Sequence, residues 1–219
     1  MRIATNMEMV ILGSTGLVGT AVVKELLLEE KCTKIVSIGR RSLSINNPKI
    51  LDVQVANIKE IENLTLQVSE PVFICCFGTT LKNAGNKENF FDLEYNAILN
   101  FAKLALKYNA KKFVLVSSMG ANAKSVFFYN KVKGKIENDL KQMGLKSLVI
   151  FRPGLLVGNR IEARPLEKIS IEFVQKLDSF IGQKVLKSFA TKASGLAGKI
   201  MQESLSQDSV YKIVESSKI

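Results

Sequence analysis

The chain of 219 residues contains no histidine and no tryptophan. The absence of histidine excludes Ser-His-Asp and Cys-His hydrolases, HExxH metalloproteases and Cys2His2 zinc fingers, because each of these needs an imidazole. Any proton transfer near neutral pH must therefore use Tyr, Lys, Cys, Asp or Glu.

Cysteine is scarce as well. The three cysteines, Cys32, Cys75 and Cys76, provide neither a disulfide framework nor a CxxC metal pair. Cys75 and Cys76 lie in the apolar run VFICCF and are predicted to be buried small residues, which suits a reducing compartment. No apolar stretch reaches the roughly 20 residues of a membrane span, and Glu8 interrupts the N-terminal segment that could suggest a signal peptide. We therefore expect a cytoplasmic protein without a membrane span or a metal site.

Positive charge, in contrast, is abundant. The 31 Lys and Arg residues exceed the 20 Asp and Glu residues and give a net charge of +11. This balance favours anionic partners such as nucleotide cofactors and phosphorylated substrates. Nucleic acid is not expected as a partner, because aromatic residues make up only 7% of the chain and no recognition motif is present.

Short apolar runs alternate with longer amphipathic segments, which is the pattern of an α/β fold. Most predicted strands lack in/out alternation, as expected of a parallel sheet that is covered on both faces. The predicted strands are Met7–Leu12, Lys34–Gly39, Leu51–Val55, Val72–Phe77, Lys112–Ser117 and Ser147–Phe151. The predicted helices are Leu17–Glu29, Asn89–Tyr108 and Val126–Gln142, with a weak helical segment at Ile58–Leu66.

The pattern changes after Pro153. A loop at residues 154–164 precedes helical patterns at Pro165–Phe180 and Thr191–Glu203, and a short strand is predicted at Val210–Val214. We predict one Rossmann-type domain over residues 1–219, with a doubly wound parallel sheet. Its core covers about residues 7–153, and a small C-terminal helical cap on the substrate side covers about residues 154–219.

The clearest local motif directly follows the first predicted strand. It consists of Gly13, Ser14, Thr15, Gly16, Leu17, Val18 and Gly19. Glycines allow positive φ and a close approach of pyrophosphate, and the N–H groups at the start of the following helix can face the phosphates. The alternative is a tight turn without a ligand. Because strand, turn, helix and second strand occur in order, we expect dinucleotide binding here.

The second strand ends at Arg40 and Arg41. NAD-binding proteins have an acidic residue at this place, which accepts hydrogen bonds from the ribose 2′-OH. Two guanidiniums instead suit a 2′-phosphate, through bidentate charge-assisted hydrogen bonds. A solvated surface pair is the alternative, and NADP(H) is the cofactor that the sequence favours.

A tyrosine and a lysine lie four residues apart on a predicted helix, at Tyr129 and Lys133, and therefore share one face. An ammonium beside the phenol favours phenolate and lowers the tyrosine pKa from about 10, which makes proton transfer easier. Upstream, a predicted strand ends at Ser117 and Ser118, whose hydroxyls could hold a substrate carbonyl. A surface Tyr–Lys pair is the alternative.

Together, GSTGLVG, the arginine pair, VLVSS and YNKVK resemble the short-chain dehydrogenase/reductase superfamily, and the GxxGxxG spacing is similar to its extended and atypical branches. CCFGTT at Cys75–Thr80, VSSMGAN at Val116–Asn122 and FRPGLLVGNRIEARP at Phe151–Pro165 resemble, more narrowly, the Tat-interacting-protein-like subfamily of NAD(P)H-binding atypical reductases. The resemblance covers about Glu8 to Pro165 and is specific through the combination of motifs.

The resemblance implies roles for the catalytic set. Tyr129 would be the catalytic acid/base, and Lys133 would hold the nicotinamide ribose and lower the tyrosine pKa. Ser118, rather than Ser117, would orient the carbonyl. Asn96 would support a proton relay.

The resemblance also implies contacts to the cofactor. Phe77, Gly78 and Thr79 would lie against the adenosine and ribose, whereas Arg152 and Pro153 would lie near the nicotinamide. In the family an acidic residue that contacts the adenine amine often follows the third strand. Here Asn57 takes that place, and its amide can make the same contact.

We expect an NADPH-dependent oxidoreductase that reduces a small carbonyl compound, with the proton from Tyr129. The rival hypothesis is a non-catalytic NADPH-binding sensor or regulatory protein, because Rossmann modules also serve that purpose. A sugar-nucleotide epimerase ranks last, since it needs a larger substrate domain than this C-terminal segment. A homodimer and a monomer both stay open as oligomeric states, and the sequence does not identify the substrate.

Overall fold

The computed structural model describes residues 6–158, 190–208 and 211–219. Within these residues the strands are β1 (Met7–Leu12), β2 (Cys32–Gly39), β3 (Ile50–Gln54), β4 (Val72–Cys75), β5 (Lys112–Val116), β6 (Leu148–Arg152), β7 (Leu155–Val157), β8 (Ala190–Lys192) and β9 (Tyr211–Glu215). The helices are α1 (Leu17–Leu28), α2 (Leu81–Ala84), α3 (Lys87–Phe91), α4 (Ala97–Lys107), α5 (Phe128–Gln142) and α6 (Ala193–Leu205). Shorter helical segments are a π-helical one at Asp92–Asn96 and 3-10 ones at Ile58–Asn63 and Ser216–Lys218.

Seven strands form one parallel sheet in the order β3-β2-β1-β4-β5-β6-β9. The strand order reverses beside β1, which pairs with β2 on one side and with β4 on the other. In open parallel sheets such a switch point creates a crevice at the carboxyl ends of the strands, where ligands bind. The strands β7 and β8 form a separate two-stranded parallel sheet.

The sheet is covered on both faces, which explains why its central strands are apolar without alternation. On one face α4 and α5 pack over Phe73 and Phe113, and the ring of Phe101 lies 4.9 Å and 5.7 Å from theirs. On the other face α1 and α6 contribute buried residues such as Val22 and Leu196. The predicted α/β fold with a parallel sheet is confirmed.

The predicted strands occur with their ends shifted by at most one or two residues, but two regions differ from prediction. The single helix predicted over Asn89–Tyr108 is three consecutive segments: α3, the π-helical turn and α4. Within the described part of the predicted cap, β9 joins the main sheet beside β6 and α6 packs beside α1, whereas β7 and β8 form the separate sheet. The helix predicted at Pro165–Phe180 lies outside the described residues. No helix in the described part of the chain is long and apolar enough to cross a bilayer.

Candidate functional site

The glycine-rich turn between β1 and α1 is closely packed at two of its glycines. Gly13 has a φ of +86°, and a Cβ on it would lie 2.6 Å from the backbone nitrogen of Phe77. A Cβ on Gly19 would lie 2.2 Å from the carbonyl oxygen of Gly13, so the third glycine lets α1 pack against the turn. Side chains are therefore excluded at Gly13 and Gly19. Thr15 and Leu17 are half-buried, and Val18 is buried.

The start of α1 has no side-chain cap. Gly16 is the N-cap residue and cannot accept a hydrogen bond from the first helical turn. The hydroxyl of Ser14 is hydrogen-bonded to that of Ser37 at 2.8 Å. The carbonyl oxygen of Ser14 accepts a hydrogen bond from Thr20 Oγ1 at 3.1 Å. These polar side chains thus stabilise the turn itself. The N–H groups in the first turn of α1 stay able to bind an anion.

Arg40 and Arg41 follow the last residue of β2, at the same edge of the sheet as the glycine-rich turn. The turn contacts the end of β2, because the N–H of Gly13 donates to the carbonyl oxygen of Ile38 at 3.4 Å. Both arginine side chains are exposed, and neither pairs with a carboxylate in residues 6–158, 190–208 or 211–219. Their positive charge is therefore available beside the turn.

Asp52, on β3, holds the chain just beyond the arginine pair. Its carboxylate accepts from Ser42 Oγ at 2.7 Å and from the N–H of Leu43 at 3.0 Å. Burial alone would raise the pKa of Asp52, but hydrogen bonds from Ser37, Ser42 and Leu43 hold it below its usual value. Because Ser37 also bonds Ser14, these contacts link the glycine-rich turn to the arginine loop.

Two further predicted cofactor contacts occupy loops beside this edge. Asn57 is exposed and caps the 3-10 segment, since its Oδ1 accepts from the N–H of Lys59 at 3.0 Å. Phe77, Gly78 and Thr79 follow β4, and the backbone of Phe77 lies against Gly13. The structure therefore brings the 77–79 loop to the turn.

Tyr129 and Lys133 lie in the first two turns of α5. The Tyr129 ring packs against Phe90, with ring centroids 5.6 Å apart, and Lys133 Nζ lies 5.9 Å from the tyrosine ring centroid. Lys133 is buried and forms a 2.6 Å ion pair with the carboxylate of Glu94, which is buried as well. Burial would lower the pKa of Lys133, but the charge and hydrogen bond of Glu94, together with the electrostatic effect of Tyr129, raise it above its usual value. The lysine is therefore a charged group beside Tyr129.

The two serines after β5 differ in their partners. Ser117 Oγ donates to Glu137 Oε1 at 2.5 Å, and both residues are buried. Ser118 Oγ is buried and has no hydrogen-bond partner among the described residues. A buried hydroxyl without a partner is energetically costly, and this distinguishes Ser118 from Ser117.

The loop that begins at Ser118 packs directly on α5. The N–H of Asn122 donates to the carbonyl oxygen of Asn130 at 3.0 Å. A Cβ on Gly134 would lie 2.1 Å from the backbone nitrogen of Ala123, so this helical glycine permits the contact. The packing brings the serine loop to the end of α5 that carries Tyr129.

Arg152 and Pro153 have structural contacts. The Arg152 guanidinium pairs with Glu137 at 2.5 Å and with Glu215 at 2.9 Å, and hydrogen bonding to Glu137 raises the pKa of Arg152. The carbonyl oxygen of Pro153 accepts from the N–H of Met119 at 2.8 Å. Arg152 was predicted to contact the nicotinamide, but its side chain is already held by two carboxylates.

Glu94 and Glu137 were not predicted from the sequence, which indicated Asn96 as the residue that supports a proton relay. Asn96 Nδ2 donates to the exposed Asp92 at 2.6 Å. A signal for Glu94 existed, because Phe90, Glu94 and Phe101 continue one apolar helix face. An acid on such a face must be paired if the face is buried.

Comparison with known proteins gives one family and a set of relatives. The model of the HIM1 family matches residues 34–188. The mitochondrial protein FMP52 of Candida albicans is 38% identical over 164 residues, which cover 73% of this chain and 72% of the relative. The mitochondrial protein FMP52-1 of Scheffersomyces stipitis is 32% identical over 224 residues, which cover 97% of each chain.

Solved structures with this fold are short-chain dehydrogenases and epimerases. A short-chain dehydrogenase family protein from Francisella tularensis has a TM-score of 0.72 at 14% identity, covering 97% of this chain and 98% of its own. WbmH of Bordetella bronchiseptica, solved with NAD+, has a TM-score of 0.69 at 18% identity, covering 94% and 75%. The UDP-glucose 4-epimerase of Thermotoga maritima has a TM-score of 0.70 at 16% identity, covering 95% and 76%. At these identities the likeness shows the fold.

The prediction of a cytoplasmic protein is wrong. Several curated relatives that are 32–38% identical to the chain are named as mitochondrial proteins. The reasons for the prediction were buried, unpaired cysteines and the lack of a spanning segment. Both features are equally compatible with a mitochondrial compartment, so they could not discriminate.

Proposed function

The chain belongs to the HIM1 family, and from that premise and the geometry of the site we propose that it is an NADPH-dependent oxidoreductase of the short-chain dehydrogenase/reductase type, which reduces a small carbonyl compound. The fold of the structural neighbours supports the superfamily. The names of the FMP52 relatives support a mitochondrial location. The narrower kinship with the Tat-interacting-protein-like subfamily is part of the proposal and depends on the motifs alone.

The observation that carries the proposal is the buried hydroxyl of Ser118, which has no hydrogen-bond partner among the described residues. Leaving a buried hydroxyl without a partner costs about 1–3 kcal/mol, which a substrate oxygen would recover on binding. The loop that carries Ser118 packs on the helix that carries Tyr129, with Lys133 one turn further along. A carbonyl oxygen held by Ser118 would therefore lie close to a phenol and an ammonium.

The residues at the strand ends fit a dinucleotide. The uncapped start of α1 suits the pyrophosphate, and the exposed Arg40 and Arg41, which pair with no carboxylate in the part of the chain that the structure describes, suit the 2′-phosphate. The 77–79 loop would cover the adenosine side and Lys133 the nicotinamide ribose, while Asn57 keeps its amide nitrogen for the adenine. NADPH supplies a hydride when it is bound.

Tyr129 would deliver the proton to the carbonyl oxygen. The charged Lys133 beside Tyr129 stabilises the phenolate and so makes transfer of the phenolic proton easier. Ser118 would donate a hydrogen bond to the same oxygen and stabilise the negative charge that develops there.

The experiment that tests the proposal is a titration of the purified protein with NADPH and with NADH. The fluorescence of the cofactor is a clean signal because the chain has no tryptophan. We expect NADPH to bind more tightly than NADH. Replacing Arg40 and Arg41 by Ala should cost about 2–4 kcal/mol of NADPH binding free energy, with little effect on NADH.

The double variant Lys24→Ala/Lys31→Ala is the control. It removes the same amount of charge from two exposed lysines, one on α1 and one just before β2. NADPH affinity should be retained in this control. Equal losses for NADPH and NADH in the arginine variant would refute the 2′-phosphate assignment, and no binding of either cofactor would refute the proposed function.

A further inference from the structure

Glu94 is a fully buried carboxylate whose two oxygens contact two parts of the candidate site. Its Oε2 accepts from Lys133 Nζ at 2.6 Å. Its Oε1 accepts from the backbone N–H of Thr79, in the 77–79 loop. One side chain therefore joins α5 to the loop that follows β4.

The helix that carries Glu94 is irregular at this position. The segment Asp92–Asn96 is π-helical, a rare conformation that occurs frequently at functional sites. Phe90 and Phe101, on the same side of the helix, are fully buried. Glu94 thus occupies a core position where an apolar residue would be the ordinary choice.

A buried ion pair is a poor source of stability. Removing two charges from water costs several kcal/mol per ion, and well-packed apolar residues in their place are often neutral or stabilising. The Glu94–Lys133 pair therefore points to a role in the chemistry of the site rather than in stability alone.

We propose that Glu94 is a positioning residue that keeps Lys133 charged and fixed beside Tyr129 and ties it to the 77–79 loop. The inference rests on the proposed function, in which Tyr129 transfers the proton. It adds an acidic member to the Ser118, Tyr129 and Lys133 set.

The charge balance around Lys133 supports this role. The titratable groups that influence it are Glu94 from the π-helical segment, Tyr129 from α5 and Cys75 from β4. Burial raises the pKa of the Cys75 thiol to about 12, so this group is neutral at physiological pH. Glu94 is then the counter-charge that offsets the burial of Lys133 within the described residues. Without it, burial favours the neutral amine.

The test is the variant Glu94→Gln, because glutamine keeps an oxygen for the Thr79 N–H and loses the charge. We expect Lys133 to become neutral, so that the tyrosinate of Tyr129 loses its neighbouring cation and forms only at a higher pH than in the wild-type protein. The near-ultraviolet absorbance of tyrosinate, without cofactor, reports this pKa. Subtracting the matching Tyr129→Phe protein isolates Tyr129 from the other three tyrosines.

The direction of the shift separates the two explanations. If Glu94 has only a structural role, Lys133 stays charged in the Glu94→Gln variant. The pKa of Tyr129 would then fall, because a nearby negative charge has been removed. A fall, or an unchanged titration, would overturn the proposal. The control is Asp92→Asn, an exposed residue of the same segment, which should leave the Tyr129 titration unchanged. A shift of similar size in that control would also overturn the proposal.

A second variant keeps the test decisive if Glu94→Gln does not fold. Glu94→Gln/Lys133→Met removes both buried charges, so it should fold and show the raised pKa of Tyr129. A wild-type pKa in this protein would contradict the proposal. NADPH binding to the wild-type protein reports on the proposed function separately, because the tyrosine titration needs no cofactor.

Discussion

Ser117 and Ser118 are adjacent in sequence, yet their hydroxyls have different environments. The Ser117 hydroxyl donates to a buried carboxylate, so its hydrogen-bonding capacity is used inside the protein. The Ser118 hydroxyl is buried without a described partner. In the proposed function only the Ser118 hydroxyl would bind a substrate, and this contrast leads to opposite expectations for the two substitutions.

Ser118→Ala should lower the turnover number by about 10²–10³-fold, the usual effect of removing one donor to a developing oxyanion. It should leave stability unchanged or slightly raised, because no internal hydrogen bond is lost. Ser117→Ala should instead lower the free energy of unfolding by about 1–3 kcal/mol, since the Glu137 carboxylate loses a buried donor. Urea unfolding and NADPH oxidation with a panel of small aldehydes and ketones measure the two effects.

Tyr129→Phe is the reference for this comparison. It should abolish turnover and leave NADPH affinity nearly unchanged. The assignment of Ser118 fails if Ser117→Ala is the variant that loses turnover at full stability. NADPH binding without turnover of any carbonyl by the wild-type protein would instead favour a sensor.

At the scale of elements, α5 depends on a glycine for its contact with the serine loop. A Cβ on Gly134 would lie 2.1 Å from the nitrogen of Ala123 and 2.2 Å from the carbonyl carbon of Asn122, and backbone atoms cannot move aside as a flexible side chain can. The position of Ser118 relative to Tyr129 is therefore set by the close approach of a loop to a helix.

Gly134→Ala should separate the loop from α5 and lower the free energy of unfolding by about 1–3 kcal/mol, the usual cost of overpacking. It should also reduce turnover, because Ser118 moves with the loop. Gly198→Ala is the matched control in α6, where the added Cβ would meet no described atom within 4 Å apart from its own helix backbone and chain neighbours. Because Ala is the better helix former, the control should gain up to about 1 kcal/mol. Urea unfolding checks both, and equal behaviour of the two variants would contradict the packing argument.

The elements that the sequence predicts well are those whose signal is local. Strands such as β1 and β5 are short apolar runs between turn residues, and the glycine-rich turn follows from residue type. The strands β7 and β8 have three residues each and, among the described residues, pair with one another, so they leave no periodic signal. The π-helical segment is missed for a similar reason, since its sequence reads as ordinary helix.

The same distinction applies to the candidate site. Tyr129 and Lys133 are found from a four-residue spacing. Glu94 lies 39 residues before Lys133, and their contact depends on how α5 packs against the π-helical segment Asp92–Asn96. Such a pairing follows from tertiary packing, which local patterns do not encode.

At the scale of the whole molecule, strands from both ends of the described chain belong to one sheet. The last strand, β9, pairs with β6, and α6 packs beside α1, which is the first helix. The described residues after β7, 190–208 and 211–219, therefore contribute to the core and to the sheet. A chain that ended after β6 would expose an apolar face of α1 and leave β6 as an unpaired edge.

Arg152 connects these parts, because it lies at the end of β6 and pairs with Glu137 on α5 and Glu215 on β9. Glu137 is 3% exposed and accepts from Ser117 as well, whereas the Glu215 side chain is 49% exposed. Glu137→Gln should therefore lower the free energy of unfolding by on the order of 3 kcal/mol, since it disrupts a buried charged network. Glu215→Gln should cost less than about 1 kcal/mol, as exposed ion pairs do. Urea unfolding at low and high salt checks this, with salt affecting the Glu215 contribution more. Equal losses in the two variants would mean that the sheet edge at β9, rather than the buried carboxylate on α5, limits the stability of the fold.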